Sequence, residues 1–500
     1  MPAPFDTSGI ITDPDGIRHY DGLPDNLVRM LRRSVELVSD REAVAEIGGE
    51  RLSYREFWDR SCRVAGGLQA AGVHPGDRVA LRLGNGVDWT LAFFGSQMAR
   101  AVVVPVNTRF TEEEVRYVVE DSGAAFTFMP GSGLPDGPPL ALDDAARDEV
   151  AAIFYTSGTT GFPKGAMTTH ENFLSNAESA RRVIGMPTGE PTRTLVSVPL
   201  FHVTGCNSQF LALTQMAGTT VIMSQFEVQA FLRAVQDEKI DNLVSVPAIY
   251  WLAINQPNFD DFDLSSVRYL SYGGAPIAPD LVRAIMARFP SAKVGNGFGL
   301  TETSSIATYL PHEWAASHAD SVGFPVPVDD LDLLNVDTRS GVGELLVKGP
   351  NVVKGYWNKP EATASAFVDG WPHTGDLALI DAEGLVYIVD RVKDMINRGG
   401  ENIYCVEVEN ALAGAPGVFE VAVVAVPDPV MGEKVGAVVV PTPGQELDVH
   451  AFIDYASERL ADFKVPQYVA VSRDPLPRNP GGKVLKPVLR ETTQWGDPLR

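Results

Sequence analysis

A parallel α/β fold, followed by a smaller and differently built C-terminal segment, is the class this chain predicts. Three observations predict it. β-Branched runs alternate with amphipathic helical stretches through the first two thirds of the 500 residues. After about residue 325 the strands become short and bounded by glycines. No period of about 20–50 residues repeats, which argues against a solenoid.

The elements follow in order. Arg78–Leu83 reads as a strand and Asp88–Ala99 as the helix after it; Ala101–Val106 reads as the next strand. Thr111–Asp121 reads as a helix, opened by a Thr cap with Glu in its first turn. Gly131–Pro139, rich in Gly and Pro, reads as a surface loop. Leu243–Val246 then Pro247–Asn255, and Val267–Ser271 then Pro279–Phe289, repeat the strand-then-helix order. Such alternation implies parallel sheets with crossover helices, whose ligands sit at the carboxyl ends of the strands. Gly343–Lys348 and Gly384–Val389 read as strands of an antiparallel or barrel-like piece. A shorter α/β segment follows: helix Cys405–Ala413, strands Val418–Val426 and Gly436–Val440, helix Asp448–Leu460. The boundary is expected at Asp390–Lys393.

Composition narrows the function. Sixty-four acids against 41 bases give a net charge of −23. That argues against a nucleic-acid binder, whose footprint is basic, and against a polybasic membrane anchor. It leaves anionic ligands open, because clustered backbone N–H groups can hold a phosphate inside an acidic protein. Three scattered cysteines, Cys62, Cys206 and Cys405, indicate reduced thiols and a cytoplasmic setting. The N-terminus lacks a basic region followed by an apolar run, so no leader is expected. No apolar stretch approaches the roughly 18 residues of a membrane span.

The strongest local signal is Tyr155–Gly165, which follows the apolar strand Ala151–Phe154 and carries three glycines, four Ser/Thr hydroxyls and one lysine. Glycines admit a ligand close to the backbone, hydroxyls and N–H groups donate to phosphate oxygens, and lysine supplies charge. A Walker A loop does not fit: Pro163 precedes Lys164, and Gly165 stands where Ser or Thr must bind Mg²⁺. Four weaker clusters follow in order: Gly297–Glu302, His373–Asp376, Asp390–Asp394 and Pro477–Lys483. Alone they read as a helix cap, an Asp turn, a solvated charge run and a surface loop.

Together and in this order, from about Leu52 to Leu489, they make the chain resemble the acyl-adenylate-forming superfamily of acyl-CoA synthetases, peptide-synthetase adenylation domains and beetle luciferases. It is most similar to stand-alone bacterial fatty-acyl-CoA ligases. The resemblance implies a large N-terminal domain (1–390) of two α/β subdomains plus a distorted β-barrel, a hinge at 391–393, and a small mobile α+β C-terminal domain (394–500). It implies that Thr156, Ser157, Gly158, Thr159, Thr160, Gly161 and Lys164 hold the triphosphate. Gly274, Ala275 and Pro276, with Gly297, Phe298 and Gly299, match the adenine pocket; Phe298 stands where Tyr is usual and would stack on the base. Thr301 matches an α-phosphate contact, Glu302 the Mg²⁺ ligand, and Asp376 and Arg391 the ribose contacts. Lys483 matches the lysine that bridges the substrate carboxylate and α-phosphate.

For the acyl and thiol passage the resemblance names His202, Val203 and Gly205, then Ile249 and Tyr250, with Trp251 and Gly273 as further wall, and Gly399, Gly400 and Glu401 lining the thiol tunnel. Lys393 falls at the pivot. No acid occurs in 199–205, which disfavours an amino-acid substrate. The segment 130–147 is short for the family. The chemistry suits these residue types: a carboxylate attacking the α-phosphate of ATP brings two anions together, so charge neutralisation and positioning do the work. The expected activity is an ATP- and Mg²⁺-dependent ligase joining an apolar acid, a fatty acid first, to coenzyme A. Aromatic-acid ligation and loading of a free-standing carrier protein are the alternatives, and a homodimer is compatible with these features.

Overall fold

The structure, a computed structural model, describes residues 4–156, 163–275, 277–478 and 484–499. The chain divides into two compact units. One comprises Met1–Asp332, Leu346–His373 and Glu383–Leu385; the other comprises Leu333–Leu345, Thr374–Ala382 and Val386–Arg500. The smaller unit therefore takes in strand segments well before the expected boundary at 390.

The larger unit holds two α/β sheets. In the first, Ala124–Phe128, Arg78–Leu81, Val102–Pro105 and Val150–Thr156 run parallel in that order, and Lys164–Thr169 closes the edge antiparallel. The second has nine strands. Its parallel centre runs Lys293–Phe298, Tyr269–Gly273, Asn242–Ser245, Arg193–Val196, Thr219–Ile222, Glu42–Glu46. Antiparallel strands Thr308–Leu310 and Arg51–Ser53 flank that centre.

The sequence explains the helices locally. Thr111 accepts from Glu114 N while the Glu114 carboxylate caps the Thr111 N–H, and Gly123 in the left-handed region (φ 61°) ends that helix. Helix Val87–Met98 is apolar on nearly every face, and only Asp88 of its residues escapes burial. Such a helix belongs inside a core. There Trp89 stacks on Phe93 at 5.4 Å, and Phe57, Phe94 and Phe210 meet edge to face. The same cluster takes in Val79, Leu81 and Val103 from one sheet and Val44, Val196 and Ile222 from the other. One core thus fixes both sheets and the strand ends that carry the site.

The segment after Phe128 is more tightly held than its Gly/Pro content suggested. Gly137 N donates to Arg63 O and Leu140 N to Cys62 O. A Cβ at Gly66 would lie 1.8 Å from Pro138 O, so only glycine lets the segment lie against the helix Tyr54–Ala70.

In the smaller unit, Val418–Asp428 and Gly432–Pro441 form a long antiparallel ribbon; the free edge of Gly432–Pro441 pairs with Ile396–Arg398 at Gly432 and, in parallel, with Tyr468–Val471, and Glu401–Ile403 pairs with Ile396–Arg398. Its core gathers Ile396, Val408, Leu412, Val423, Val439 and Phe452. Cys62, Cys206 and Cys405 are free and buried, and burial pushes each thiol up, Cys62 to about 11. Among the described residues no helix is long and apolar enough to cross a membrane.

Candidate active site

Strand Val150–Thr156 and strand Lys164–Thr169 pair antiparallel, so that Thr156 and Lys164 stand opposite each other at the end of the pairing. Thr156 Oγ1 donates to Lys164 O at 3.4 Å. Ser157, Gly158, Thr159, Thr160 and Gly161 lie outside the described residues, as do Pro276 and Lys483.

The second cluster lies at the carboxyl ends of two parallel strands. Gly273 and Gly297 are register partners, and a Cβ at Gly273 would sit 2.2 Å from Gly297 O. Gly274 turns the chain at φ +75°, followed by Ala275. Phe298 is half-buried at the end of its strand. At Gly299 a Cβ would fall 1.6 Å from Ser305 O, because the loop folds back on itself there. Thr301–Thr303 form a short 3₁₀ turn carrying Glu302. Ser304 and Ser305 then adopt φ of 56° and 130°, a conformation that side chains ordinarily avoid. Such strain persists only where neighbours impose it. The neighbours are Asn207, whose Nδ2 donates to Ser304 O, and Ser208, whose hydroxyl meets that of Ser305 at 2.7 Å.

Both neighbours come from Thr204–Leu211, a π-helix directly after the His202 motif. π-Helical turns concentrate at functional sites. Composition did not signal this one; its Asn207 and Ser208 hold the strained serines. His202 and Val203 lead into it, and a Cβ at Gly205 would lie 2.4 Å from Pro199 O. Ile249 is buried at 9% exposure. Tyr250 is fully buried, and its hydroxyl donates to Ser271 O at 2.8 Å, so it offers a substrate no polar group. Trp251 is 44% exposed on the same helix.

A residue that sequence reasoning missed touches both Lys164 and Glu302. Tyr356 donates its hydroxyl to Glu302 Oε1 at 2.7 Å, and Lys164 Nζ lies 5.2 Å from the Tyr356 ring centre. Burial, then the Glu302 charge, pushes the phenol far above its ordinary range, so it stays a donor.

In the smaller unit, Asp376 and Arg391 are register partners on adjacent strands, and Arg391 Nε donates to Asp376 Oδ1 at 2.8 Å. Asp376 is 4% exposed, and its Oδ2 has no partner among the described residues. A buried carboxylate oxygen without a donor suits a ligand hydroxyl. Asp390 and Asp394, within what read as a solvated run, are buried. Asp390 accepts from Arg391 N and Cys405 N, and burial raises its carboxyl to about 6. Arg490 donates to Lys393 O at 3.1 Å and to Asp394 O at 3.2 Å, so the carbonyls around the expected pivot are tied to helix Lys486–Thr492. Lys486 pairs with half-buried Glu409 at 2.8 Å. One signal for that pair was readable: Glu409 falls on the apolar stripe of Cys405, Val408 and Leu412. Gly399 and Gly400, at φ 62° and 91°, make the two-residue turn of a hairpin that leads to exposed Glu401.

Glu302 fits a hard divalent cation. It offers one carboxylate, and among the described residues no group of three or more His, Cys, Asp or Glu gathers to hold a metal. Mg²⁺ takes one or two carboxylates and fills its shell with phosphates and waters.

Comparison with known proteins defines the class. The profile of the AMP-binding enzyme family matches residues 31–141 and 130–357, and that of the AMP-binding enzyme C-terminal domain matches 407–483. A feruloyl-CoA synthase of an Amycolatopsis species is 38% identical over 467 residues, covering 89% of this chain and 94% of that one. The long-chain-fatty-acid–CoA ligase FadD13 of Mycobacterium tuberculosis is 36% identical over 501 residues, covering 93% and 98%. The o-succinylbenzoate CoA synthetase MenE of Bacillus subtilis, solved with its acyl-adenylate intermediate, superposes with a TM-score of 0.85 at 28% identity, covering 93% and 99%. The fold and these matches define an AMP-forming acid–thiol ligase, an acyl-CoA synthetase, a class that uses ATP, Mg²⁺ and CoA. This chain belongs to the AMP-binding enzyme family.

Proposed function

We propose that the chain activates a largely apolar monocarboxylic acid, a fatty acid first, and passes the acyl group to CoA in the cytoplasm. The observation that carries this reading is the acyl wall. Tyr250 spends its hydroxyl on Ser271 O, and no Lys or Arg occurs in 199–205 or 246–252 to meet a second carboxylate. The FadD13 relative supports a fatty acid; the feruloyl-CoA synthase relative favours an aromatic acid as the second reading.

In this reading the 156–164 loop and Lys164 hold the phosphates, Phe298 stacks on the base, and Asp376 with Arg391 grips the ribose. Thr301 contacts the α-phosphate. Glu302 would hold Mg²⁺, which supplies positive charge to the phosphates. Lys483 neutralises the attacking carboxylate against the α-phosphate, so that the acyl–O–P bond forms as pyrophosphate leaves. Residues 394–500 then pivot at Lys393, and Gly399, Gly400 and Glu401 line the path of the thiol beside His202.

The test is pyrophosphate release across acids of graded length and aromaticity, with and without CoA. Apolar monocarboxylates should be activated, each buried CH₂ adding up to about 0.8 kcal/mol until the pocket fills. Malonate as the best substrate would overturn the reading. Transfer to an added carrier protein in place of CoA would overturn the acceptor.

A further inference from the structure

The segment 350–357 runs between the two halves of the phosphate site. On one side Lys354 N donates to Met167 O, Met167 N to Gly355 O, and Trp357 N to Gly165 O, which ties the segment to the strand of Lys164. On the other side Val353 N donates to Glu302 O at 3.0 Å. Asn172 fixes it from below, donating to Pro350 O and Val352 O. Tyr356 stands between the two anchorages. Thr363 Oγ1 accepts from its N–H at 2.9 Å, and Phe367 packs edge to face on its ring at 5.7 Å. Its backbone and ring are therefore set before any ligand arrives.

Lys164 and Glu302 carry opposite charge and serve different ligands, the phosphates and the metal. With nothing between them, they would be drawn into an ion pair that each ligand must break. The Tyr356 ring offers Lys164 a π-face, a weaker partner than a carboxylate. Its hydroxyl meanwhile fixes Glu302 Oε1. Among the described residues Lys164 makes no ion pair, and no second donor reaches the Glu302 carboxylate.

We propose that Tyr356 is a positioning residue that keeps Lys164 and Glu302 apart and orients the Glu302 carboxylate for the divalent cation. It acts through these two side chains. The inference rests on Glu302 being the metal ligand. Hydrogen-bond partners of a ligating carboxylate orient it and strengthen its hold, and removing one typically weakens metal affinity about 10- to 100-fold.

The test is binding of Mn²⁺, followed by its electron paramagnetic resonance signal, to purified protein with ATP present. Metal-free ATP binding in chelator and the melting temperature are measured alongside. Tyr356→Phe keeps the ring and its packing. It should weaken Mn²⁺ binding about tenfold, with metal-free ATP affinity and melting temperature unchanged. Tyr356→Leu removes the ring as well and should also weaken metal-free ATP binding about threefold, as Lys164 closes on Glu302. Glu302→Gln separates the two ideas. If Glu302→Gln weakens Mn²⁺ and Tyr356→Phe does not, the positioning role is wrong and Glu302 stands. If Glu302→Gln leaves Mn²⁺ binding unchanged, the metal ligand is misassigned and the inference falls with it.

Discussion

Replacing His170 should remove a specific acid sensitivity of the larger unit. His170 begins the helix that carries Asn172, the residue that holds the 350–352 backbone. It is 4% exposed, and its Nδ1 faces Leu27 N at 3.4 Å. Burial drives its pKa from 6.5 down to about 4; the Glu149 charge opposes this and Arg100 adds to it. Below the ordinary value the unfolded chain binds a proton that the folded chain refuses. The stability is therefore present above about pH 6.5 and lost as pH falls toward 4. At about 1.36 kcal/mol per pH unit the full loss is about 3 kcal/mol, of which about 2 is gone by pH 5. His170→Asn keeps an acceptor near Leu27 N and cannot be protonated. It should cost about 1 kcal/mol at every pH from lost packing. The assay is urea unfolding of both proteins at pH 7.5 and 5.0. Groups common to both cancel in the difference, and the wild type should lose about 2 kcal/mol more than the variant over that interval. Parallel pH dependences would refute the reasoning.

Three further outcomes follow. Lys483→Ala should lower acyl-AMP formation about 10²–10³-fold, the cost of losing one preorganised charge, while thioester formation from supplied acyl-AMP and CoA survives; equal loss in both would remove Lys483 from the first step. Asp376→Ala should raise the ATP KM about 10- to 100-fold, since hydrogen bonds to a charged acceptor are worth about 1.5–3 kcal/mol each, and an unchanged KM would argue against a ribose contact. Gly299→Ala must move the Ser305 carbonyl that a Cβ would otherwise meet at 1.6 Å, so it should lower stability by about 2–3 kcal/mol and cut pyrophosphate release; wild-type values for both would show that the loop yields freely.

The elements legible in the sequence were those set by local chemistry. Expected helix Thr111–Asp121 is Glu112–Ser122, expected strand Gly343–Lys348 is unchanged, and expected helix Pro247–Asn255 is Pro247–Ile254. Capping hydroxyls, bounding glycines and an N-terminal proline act within a few residues, so they can be read from the chain alone. Lys164 stands out in the sequence because its neighbours are glycines and hydroxyls, whereas Glu302 is singled out only by the family resemblance. Tyr356 was not legible, because its meaning comes from pairing with a strand almost two hundred residues earlier in the chain. The π-helix at Thr204–Leu211 was hidden for the same reason: the partners of its Asn207 and Ser208 are the serine pair at 304–305, about a hundred residues later in the chain. Asp390 and Asp394 misled in the opposite sense. A run of charges reads as solvated until a helix N-terminus and an arginine from residue 490 are seen to bury it.

The buried thiols have a practical consequence. Cys62, Cys206 and Cys405 are 6%, 0% and 0% exposed, and their raised pKa values leave almost no thiolate at neutral pH. A disulfide reagent therefore reacts with free CoA far faster than with the three buried thiols of the native protein. Residual acceptor can be read by adding the reagent to timed samples, against little protein background and without a coupling enzyme. The same reagent becomes a gauge of integrity: any protein signal that grows with time counts molecules that have opened, and Cys405 reports the smaller unit while Cys62 and Cys206 report the larger.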